Sequence, residues 1–215
     1  MPHAHGLAGC TDRATVPITR GTPTSIAVNP KTHAVYVGAS TPDDASTITV
    51  FDGSAYGAAD HSGRGLPLAD VPAGLNPTGL AVDPVTDTVN AALLANGEHA
   101  SSVAVIDGAR CNASKHLRMP RSARPRPTVF GSVGVALDPV THVVCVTNGE
   151  DTSVSAIDTR RCNGTDASGC ARASTPLPTD DYPDGIAADP RVGTAYVTSR
   201  VQGTVSMIRL RQPGR

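Results

Sequence analysis

The feature that most constrains the fold of this 215-residue chain is a segment that occurs four times. The four copies are SIAVNPKTHAVYV, GLAVDPVTDTVNA, GVALDPVTHVVCV and GIAADPRVGTAYV. Each copy contains an Asn-Pro or Asp-Pro pair, and the prolines of these pairs, Pro30, Pro84, Pro139 and Pro190, lie 54, 55 and 51 residues apart. This period is too long for a repeat of two helices and fits a four-stranded unit with one long connection.

Each copy is predicted to contain short strands. The first is an apolar run such as residues 26–28, and the Asn-Pro or Asp-Pro pair that follows it favours a tight turn. The second strand is AVYVGA in the first copy, and the third alternates apolar and small polar residues with a period of two. The fourth, as in TPLPT, contains prolines, which suits the outer edge of a sheet. A small residue recurs in the first strand at Ala27, Ala81, Ala136 and Ala187, as expected for an inner strand near a common axis.

The composition agrees with an all-β chain and excludes two classes of partner. The sequence contains 21 glycines, 18 prolines and only 3% aromatic residues, which favours short strands and turns over helices. The formal net charge is -1, and lysines are not clustered, so neither nucleic acid nor an anionic membrane surface is expected as a partner. No apolar run approaches 18 residues, and the first residues lack the basic and apolar regions of a signal peptide, so we expect no transmembrane segment and no signal peptide.

Two motifs give the repeat a family resemblance. The segments AYVTS at 195–199 and CVTNGEDTSVSAID at 145–158, with the recurring Gly-Ile/Val/Leu-Ala-x-Asp-Pro, resemble the YVTN-repeat β-propellers, also called YncE-like. The resemblance covers about residues 10–210, although Asn90 and Cys145 replace the tyrosine found at Tyr36 and Tyr196. It implies a ring, usually of about seven blades, and a bacterial protein that is often exported to the cell envelope.

The predicted fold is all-β, a β-propeller of four-stranded antiparallel blades with four repeats present. We predict one domain over residues 1–215, with repeats at about 24–72, 78–131, 133–180 and 184–210. Residues 10–20 are predicted to form a strand of an incomplete or shared blade. Two arrangements remain open, a closed four-bladed ring or part of a larger propeller.

The cysteines predict a disulfide and bear on the cellular location. Cys162 and Cys170 are eight residues apart, and a disulfide across so short a loop would stabilise its blade by about 2.5 kcal/mol. Cys10 precedes Pro30 by 20 residues, as Cys170 precedes Pro190. Cys10 therefore takes the position of the second cysteine in a blade whose first cysteine is missing. A disulfide indicates an oxidising compartment, which favours an extracellular or envelope location, whereas the missing signal peptide favours the cytosol. A truncated reading frame would reconcile the two.

No motif of an established catalytic or cofactor site is present, so we predict no catalytic residue, no metal ligand and no cofactor. In a propeller, the loops that enter the first strands and those that follow the second strands meet at one mouth of the central channel. The loop after the second strand varies in length, which makes it a candidate for specificity. The candidate ligand-binding residues in these loops are Asp180, Asp181, Tyr182, Asp184, Glu98, His99, Glu150, Asp151 and Arg200.

The sequence therefore predicts a noncatalytic binding or scaffold protein that presents these loops to a protein or a small ligand. One alternative is an enzyme resembling the lactonase or lyase propellers, with a divalent metal at the channel mouth. In each copy of the repeat, one residue lies two positions before the apolar run of the first strand, and only in the fourth copy is it a carboxylate, Asp184. The sequence therefore offers this metal few ligands. The other alternative is a fragment without independent function.

Overall fold

The computed structural model describes residues 17–18, 20–43, 45–55, 67–74, 76–94, 101–112, 115–116, 123–127, 131–170 and 176–211. Within these residues the chain forms β-strands and two single-turn 3-10 helices, at Gly53–Ala55 and Gly149–Asp151. The predicted all-β fold is therefore confirmed. Over the same residues, no helix has the length and the apolar character that a membrane crossing requires.

Four antiparallel sheets follow one another along the chain, and each contains one copy of the repeat. Unit one consists of Thr22–Val28 (β1), Ala34–Ser40 (β2), Ser46–Asp52 (β3) and Ala69–Gly74 (β4). Unit two begins with Asn76–Asp83 (β5), Thr88–Leu94 (β6) and Ser102–Asp107 (β7), continues through a hairpin of Cys111–Asn112 (β8) and Lys115–His116 (β9), and ends with Ala123–Pro127 (β10). Unit three consists of Ser132–Asp138 (β11), Val143–Asn148 (β12), Ser153–Asp158 (β13) and Leu177–Pro178 (β14). Unit four consists, within the described residues, of Pro183–Asp189 (β15), Thr194–Ser199 (β16) and Val205–Arg209 (β17).

The strands of each unit lie side by side in chain order, with the β8–β9 hairpin outside the main sheet of unit two. Because neighbouring strands are antiparallel, the entry to the first strand and the loop after the second lie at the same end of a unit. We call this the loop end, which in unit four comprises residues 180–184 and 200–204. The opposite end, which we call the turn end, holds the turn between the first two strands, residues 29–33 in unit one.

The Asn-Pro and Asp-Pro turns form in all four units. The Oδ1 atoms of Asn29, Asp83, Asp138 and Asp189 accept hydrogen bonds from the backbone N–H two residues later, at 2.9, 2.8, 2.8 and 2.8 Å. The residue that closes the turn has a left-handed backbone in each unit, with φ of 57° at His33, 52° at Asp87, 57° at His142 and 60° at Gly193. Asp, His and Gly tolerate this conformation, which explains why these residue types alternate there.

Neighbouring units pack face to face through apolar side chains. Tyr36, Ile48 and Val50 of unit one pack against a cluster of unit two that includes Leu80 and Val89. Equivalent clusters join units two and three and units three and four. The forward face of a unit is the face that is turned toward the following unit in the chain. The backward face is the face that is turned toward the preceding unit.

The first strands of neighbouring units approach one another closely at two glycines. A Cβ atom at Gly79 would lie 2.9 Å from the carbonyl oxygen of Val133, and one at Gly134 would lie 2.5 Å from that of Asp184. These distances are too short for a carbon atom, so a larger residue would push the units apart. The close approach therefore occurs two positions before the recurring alanine, and Ala187 of that series is exposed.

The predicted strand at 10–20 lies mostly outside the described residues, which include only positions 17, 18 and 20 of it. Pro17, Ile18 and Arg20 are not part of a strand.

Candidate functional site

The loop end of unit four brings together five of the predicted site residues. Asp180, Asp181 and Tyr182 precede β15, Asp184 lies near its start, and Arg200 begins the loop after β16. The antiparallel pairing of β15 with β16 places these two segments next to each other.

Two of the carboxylates are engaged by side chains of the β16–β17 loop. The Oδ2 atom of Asp181 accepts a hydrogen bond from Nε2 of Gln202 at 3.1 Å, and its backbone N–H donates to Oε1 of the same glutamine at 2.6 Å. Thr204 donates its hydroxyl to Oδ2 of Asp180 at 2.5 Å. The loop before β15 is thus fastened to the loop after β16 at two points.

The third carboxylate, Asp184, forms an ion pair with Arg200, in which Nη2 and Oδ2 are 3.2 Å apart. This pair is largely exposed, so we assign it no more than about 1 kcal/mol of stability. The backbone carbonyl of Asp184 accepts a hydrogen bond from the Thr147 hydroxyl of unit three at 2.9 Å. Asp184 therefore connects the loop end of unit four both to its own second loop and to the neighbouring unit.

Tyr182 is held in an uncommon backbone conformation that directs its ring toward unit three. Its φ is 57°, and its carbonyl accepts a hydrogen bond from the backbone N–H of Arg200 at 3.1 Å. A Cβ atom at Gly149 would lie 3.5 Å from Cε1 of the tyrosine ring, so the ring lies beside the 3-10 helix of unit three. This helix carries Glu150, which is exposed, and Asp151, which is half-buried. The loop ends of units three and four thus form a continuous surface.

The remaining predicted site residues, Glu98 and His99, lie outside the described residues. Among the residues that are described, no three His, Cys, Asp or Glu side chains are grouped so that they could hold a metal ion. The acidic residues of unit four face Thr, Gln and Arg partners rather than one another.

Three residues of this surface were missed by the sequence analysis, namely Val201, Gln202 and Thr204. The signal that could have found them is the variable length of the loop after the second strand, because they fill that loop in unit four. Val201 is exposed at its tip, beside Arg200.

The predicted disulfide pair lies at the turn end, remote from this surface along the strands. Cys162 and Cys170 are joined, and their loop follows β13. The backbone N–H of Gly164 in this loop donates to Oγ1 of Thr88 in unit two at 3.0 Å. The disulfide loop therefore contacts the preceding unit and has a structural role.

The other two cysteines of the described chain are free thiols in the interior. Burial raises the pKa of Cys111 to about 11, with a smaller contribution from Asp107. Burial likewise raises the pKa of Cys145 to about 12, and Asp138 adds to the effect. Both thiols are thus protonated at neutral pH and are poor nucleophiles.

Comparison with known proteins shows similarity in fold rather than in sequence. No family model matches the chain, and no curated protein sequence is significantly similar to it. Among solved structures, that of a nidogen/laminin complex matches with a TM-score of 0.59 and 17% identity, over 87% of this chain and 59% of that one. The structure of the RRP9 WD40 repeats matches with a TM-score of 0.57 and 13% identity, over 90% of this chain and 52% of that one. The fold is a β-propeller.

A structure of the mitotic checkpoint complex also matches this propeller, with a TM-score of 0.63 and 10% identity, over 88% of this chain and 49% of that one. At these identities the similarity shows the fold alone. The chain spans about half the length of the propeller chains that it matches. The predicted propeller fold is confirmed, whereas membership of the YVTN-repeat family remains a prediction.

Proposed function

We propose that this protein is a noncatalytic β-propeller scaffold of the YVTN-repeat type that binds a protein partner through the loop end of units three and four. The observation that carries the proposal is the presentation of Tyr182, Arg200 and Val201 as exposed side chains on loops whose backbone is fixed by hydrogen bonds. We call these three residues the loop-end patch.

The residue types of the loop-end patch are those that dominate protein interfaces. Aromatic residues and arginine are enriched at interface centres, where a few side chains provide most of the binding energy. The surrounding Glu150, Asp151 and Asp180 supply a polar and acidic rim. A partner with basic residues around an apolar centre would complement the charge of this rim.

The fixed loops favour binding because little conformational freedom remains to be lost. Asp181 and Asp180 are already tied to Gln202 and Thr204, so the loops need not be ordered by the partner. The similar propellers in the nidogen/laminin and mitotic checkpoint structures are found in protein complexes, which supports a protein rather than a small molecule as the partner. The ion pair of Asp184 with Arg200 argues against Asp184 as a ligand of a channel metal.

We further propose that the protein works in the bacterial envelope or outside the cell. The proposal is supported by the disulfide of Cys162 and Cys170, because such bonds persist in oxidising compartments. Nucleic acid is not proposed as a partner, since the formal net charge is -1 and the patch contains a single, ion-paired arginine.

Site-specific photo-crosslinking tests the proposed function. A benzophenone amino acid is placed at position 182, and as a matched control at the exposed Val192 of the turn end. In cells of the source organism, we expect one protein to be crosslinked from position 182 and not from position 192. Arg200→Ala in the same background should reduce the crosslinked yield roughly tenfold, as loss of an interface hot spot does.

Two results would contradict the proposal. One is the same set of crosslinked proteins from both positions, which would indicate chance encounters. The other is a crosslinked yield from position 182 that Arg200→Ala leaves unchanged.

A further inference from the structure

Within the described residues, the forward face of unit four is not packed on another unit, whereas each earlier unit packs on its successor through this face. In unit four, Tyr196, Val205 and Met207 are 38, 57 and 74% exposed. Strand register identifies their counterparts, since Tyr196 pairs with Met207 as Tyr36 pairs with Val50 in unit one. Tyr36 and Val50 are 0 and 1% exposed because unit two covers them. The exposed apolar face of unit four is therefore equivalent to the faces that form the internal junctions.

Within the described residues, the backward face of unit one is likewise not packed on another unit. Ile26 and Val28 of β1 are 66 and 54% exposed, whereas Leu80, the counterpart of Ile26 in unit two, is 9% exposed. These two residues border a groove of about 350 Å³ whose walls also include Val35 and Phe51 of unit one and Ile18 of the segment before it. In unit two the same face receives the side chains of unit one. The groove is thus lined mainly by apolar side chains of a face that, in unit two, packs on the forward face of the preceding unit.

Polar groups of the open forward face also match those of the internal junctions. The Tyr36 hydroxyl donates across the first junction to the carbonyl of Cys111 at 2.7 Å, and Tyr196 is its counterpart. The Thr147 hydroxyl donates across the third junction to the carbonyl of Asp184, and Thr198 is the counterpart of Thr147. Unit four therefore carries the hydrogen-bond donors of a junction as well as its apolar residues.

We infer that a second copy of this chain covers both faces, with the forward face of unit four in each copy packed on the backward face of unit one in the other. The result is a two-fold symmetric ring of eight units, a number within the range of known propellers. Arrays of repeats normally have polar outer faces at their ends, and an exposed apolar face marks an interaction site. A second copy is the simplest occupant, because it supplies both missing halves and closes the ring.

The three junctions already present in the chain support this arrangement over an unrelated partner. Each is formed by a forward and a backward face at equivalent positions, so the two end faces are of the two kinds that pack together inside the chain. These faces lie apart from the loop-end patch, so the inference is independent of the proposed function.

Light scattering coupled to size-exclusion chromatography tests the inference on the full 215-residue chain. We expect a mass of twice the 21.9 kDa of one chain. Met207→Glu and Ile26→Glu should each weaken the dimer by roughly tenfold or more, because each buries a charge in an apolar junction. Val85→Glu is the matched control, since Val85 is 61% exposed at the turn end and belongs to neither face. Far-UV circular dichroism verifies that all variants are folded.

Mixing the two face variants distinguishes head-to-tail packing from other dimers. A copy with Met207→Glu keeps an intact backward face, and a copy with Ile26→Glu keeps an intact forward face. The equimolar mixture therefore regains one native junction, and we expect dimers at concentrations at which each variant alone is monomeric.

Three results would overturn the inference. The first is a wild-type chain that is monomeric at every concentration tested, as expected if further units of a longer chain cover the faces. The second is a dimer that Met207→Glu disrupts and Ile26→Glu does not, which would indicate contact between two identical faces. The third is a mass that grows without limit with concentration, which would indicate an open filament.

Discussion

Asn90 occupies a position where the other units have Tyr36, Cys145 and Tyr196. Its side chain is fully buried, and within the described part of the chain neither its Oδ1 nor its Nδ2 has a hydrogen-bond partner. Tyr36 at the same position contributes a hydrogen bond across its junction instead. Because a buried amide without partners loses its hydration and gains nothing in return, it costs about 1–3 kcal/mol.

We expect Asn90→Val to raise the free energy of unfolding by about 1–2 kcal/mol, since it replaces the unpaired amide by an apolar side chain of similar size. Urea unfolding followed by circular dichroism measures the change. Asn29→Val is the matched control: Asn29 is equally buried, but its Oδ1 accepts from Lys31 and its Nδ2 donates to Asp87, so that substitution should destabilise. A loss of stability in both variants would show that the amide of Asn90 is satisfied.

The thiols of Cys111 and Cys145 should not react in the folded protein. Burial raises their pKa values to about 11 and about 12, so the reactive thiolate is scarce at pH 8. We expect iodoacetamide to modify neither residue until the chain is unfolded in guanidinium, as read by peptide mass spectrometry. In the unfolded chain these thiols ionise near their ordinary pKa of 9.0, whereas in the folded protein they stay neutral to about pH 11–12. The free energy of unfolding is therefore unaffected by these thiols below pH 9 and decreases as the pH rises from 9 toward 11–12. Rapid labelling of native Cys145 would show that its unit opens readily.

At the scale of the element, the disulfide loop links two units rather than closing one. The loop of Cys162 and Cys170 reaches unit two, where Gly164 donates to Thr88. A Cβ atom at Gly164 would lie 2.5 Å from Cα of Asp107, so the close contact depends on glycine. The disulfide thus holds the shape of a loop that clamps the junction of units two and three.

The double substitution Cys162→Ser and Cys170→Ser should lower the free energy of unfolding by about 2.5 kcal/mol, because the open loop gains conformational freedom in the unfolded state. Urea unfolding of the oxidised protein measures the loss. Ala167→Ser, at an exposed position of the same loop, should leave stability unchanged. A double variant as stable as the wild type would mean that the contacts of the loop hold it without the disulfide.

Several elements could be predicted from the sequence because their causes are local. The Asp-Pro turns form because the aspartate side chain accepts a hydrogen bond from the backbone two residues later. The alternation of apolar and polar residues along β3, β7 and β13 is likewise a property of each strand by itself. The pairing of Asp181 with Gln202 could not be predicted, because it joins residues 21 apart through two loops of variable path. The close approach of neighbouring units at Gly79 and Gly134 could not be predicted either, because it depends on the distance between two units and not on one strand alone.

At the scale of the whole molecule, the described residues form four units that are joined by three junctions of the same kind, and the outer faces of units one and four are exposed among these residues. The number of repeats follows from the sequence, because each copy carries its own turn and strand pattern. Whether the ring closes does not follow, since closure depends on the angle at each junction. That angle is set by many side chains of two units at once, among them the buried Asn90 and the glycines between the first strands.

The repeated junction gives the molecule the thermodynamics of a linear array with nearest-neighbour coupling. Inner units gain stability from two neighbours, while unit one and unit four each gain it from a single neighbour. We therefore expect the 215-residue chain, when it is studied alone, to open first at units one and four. If a second copy covers the end faces, every unit acquires two neighbours, and the cooperativity of unfolding becomes a function of protein concentration rather than of sequence alone.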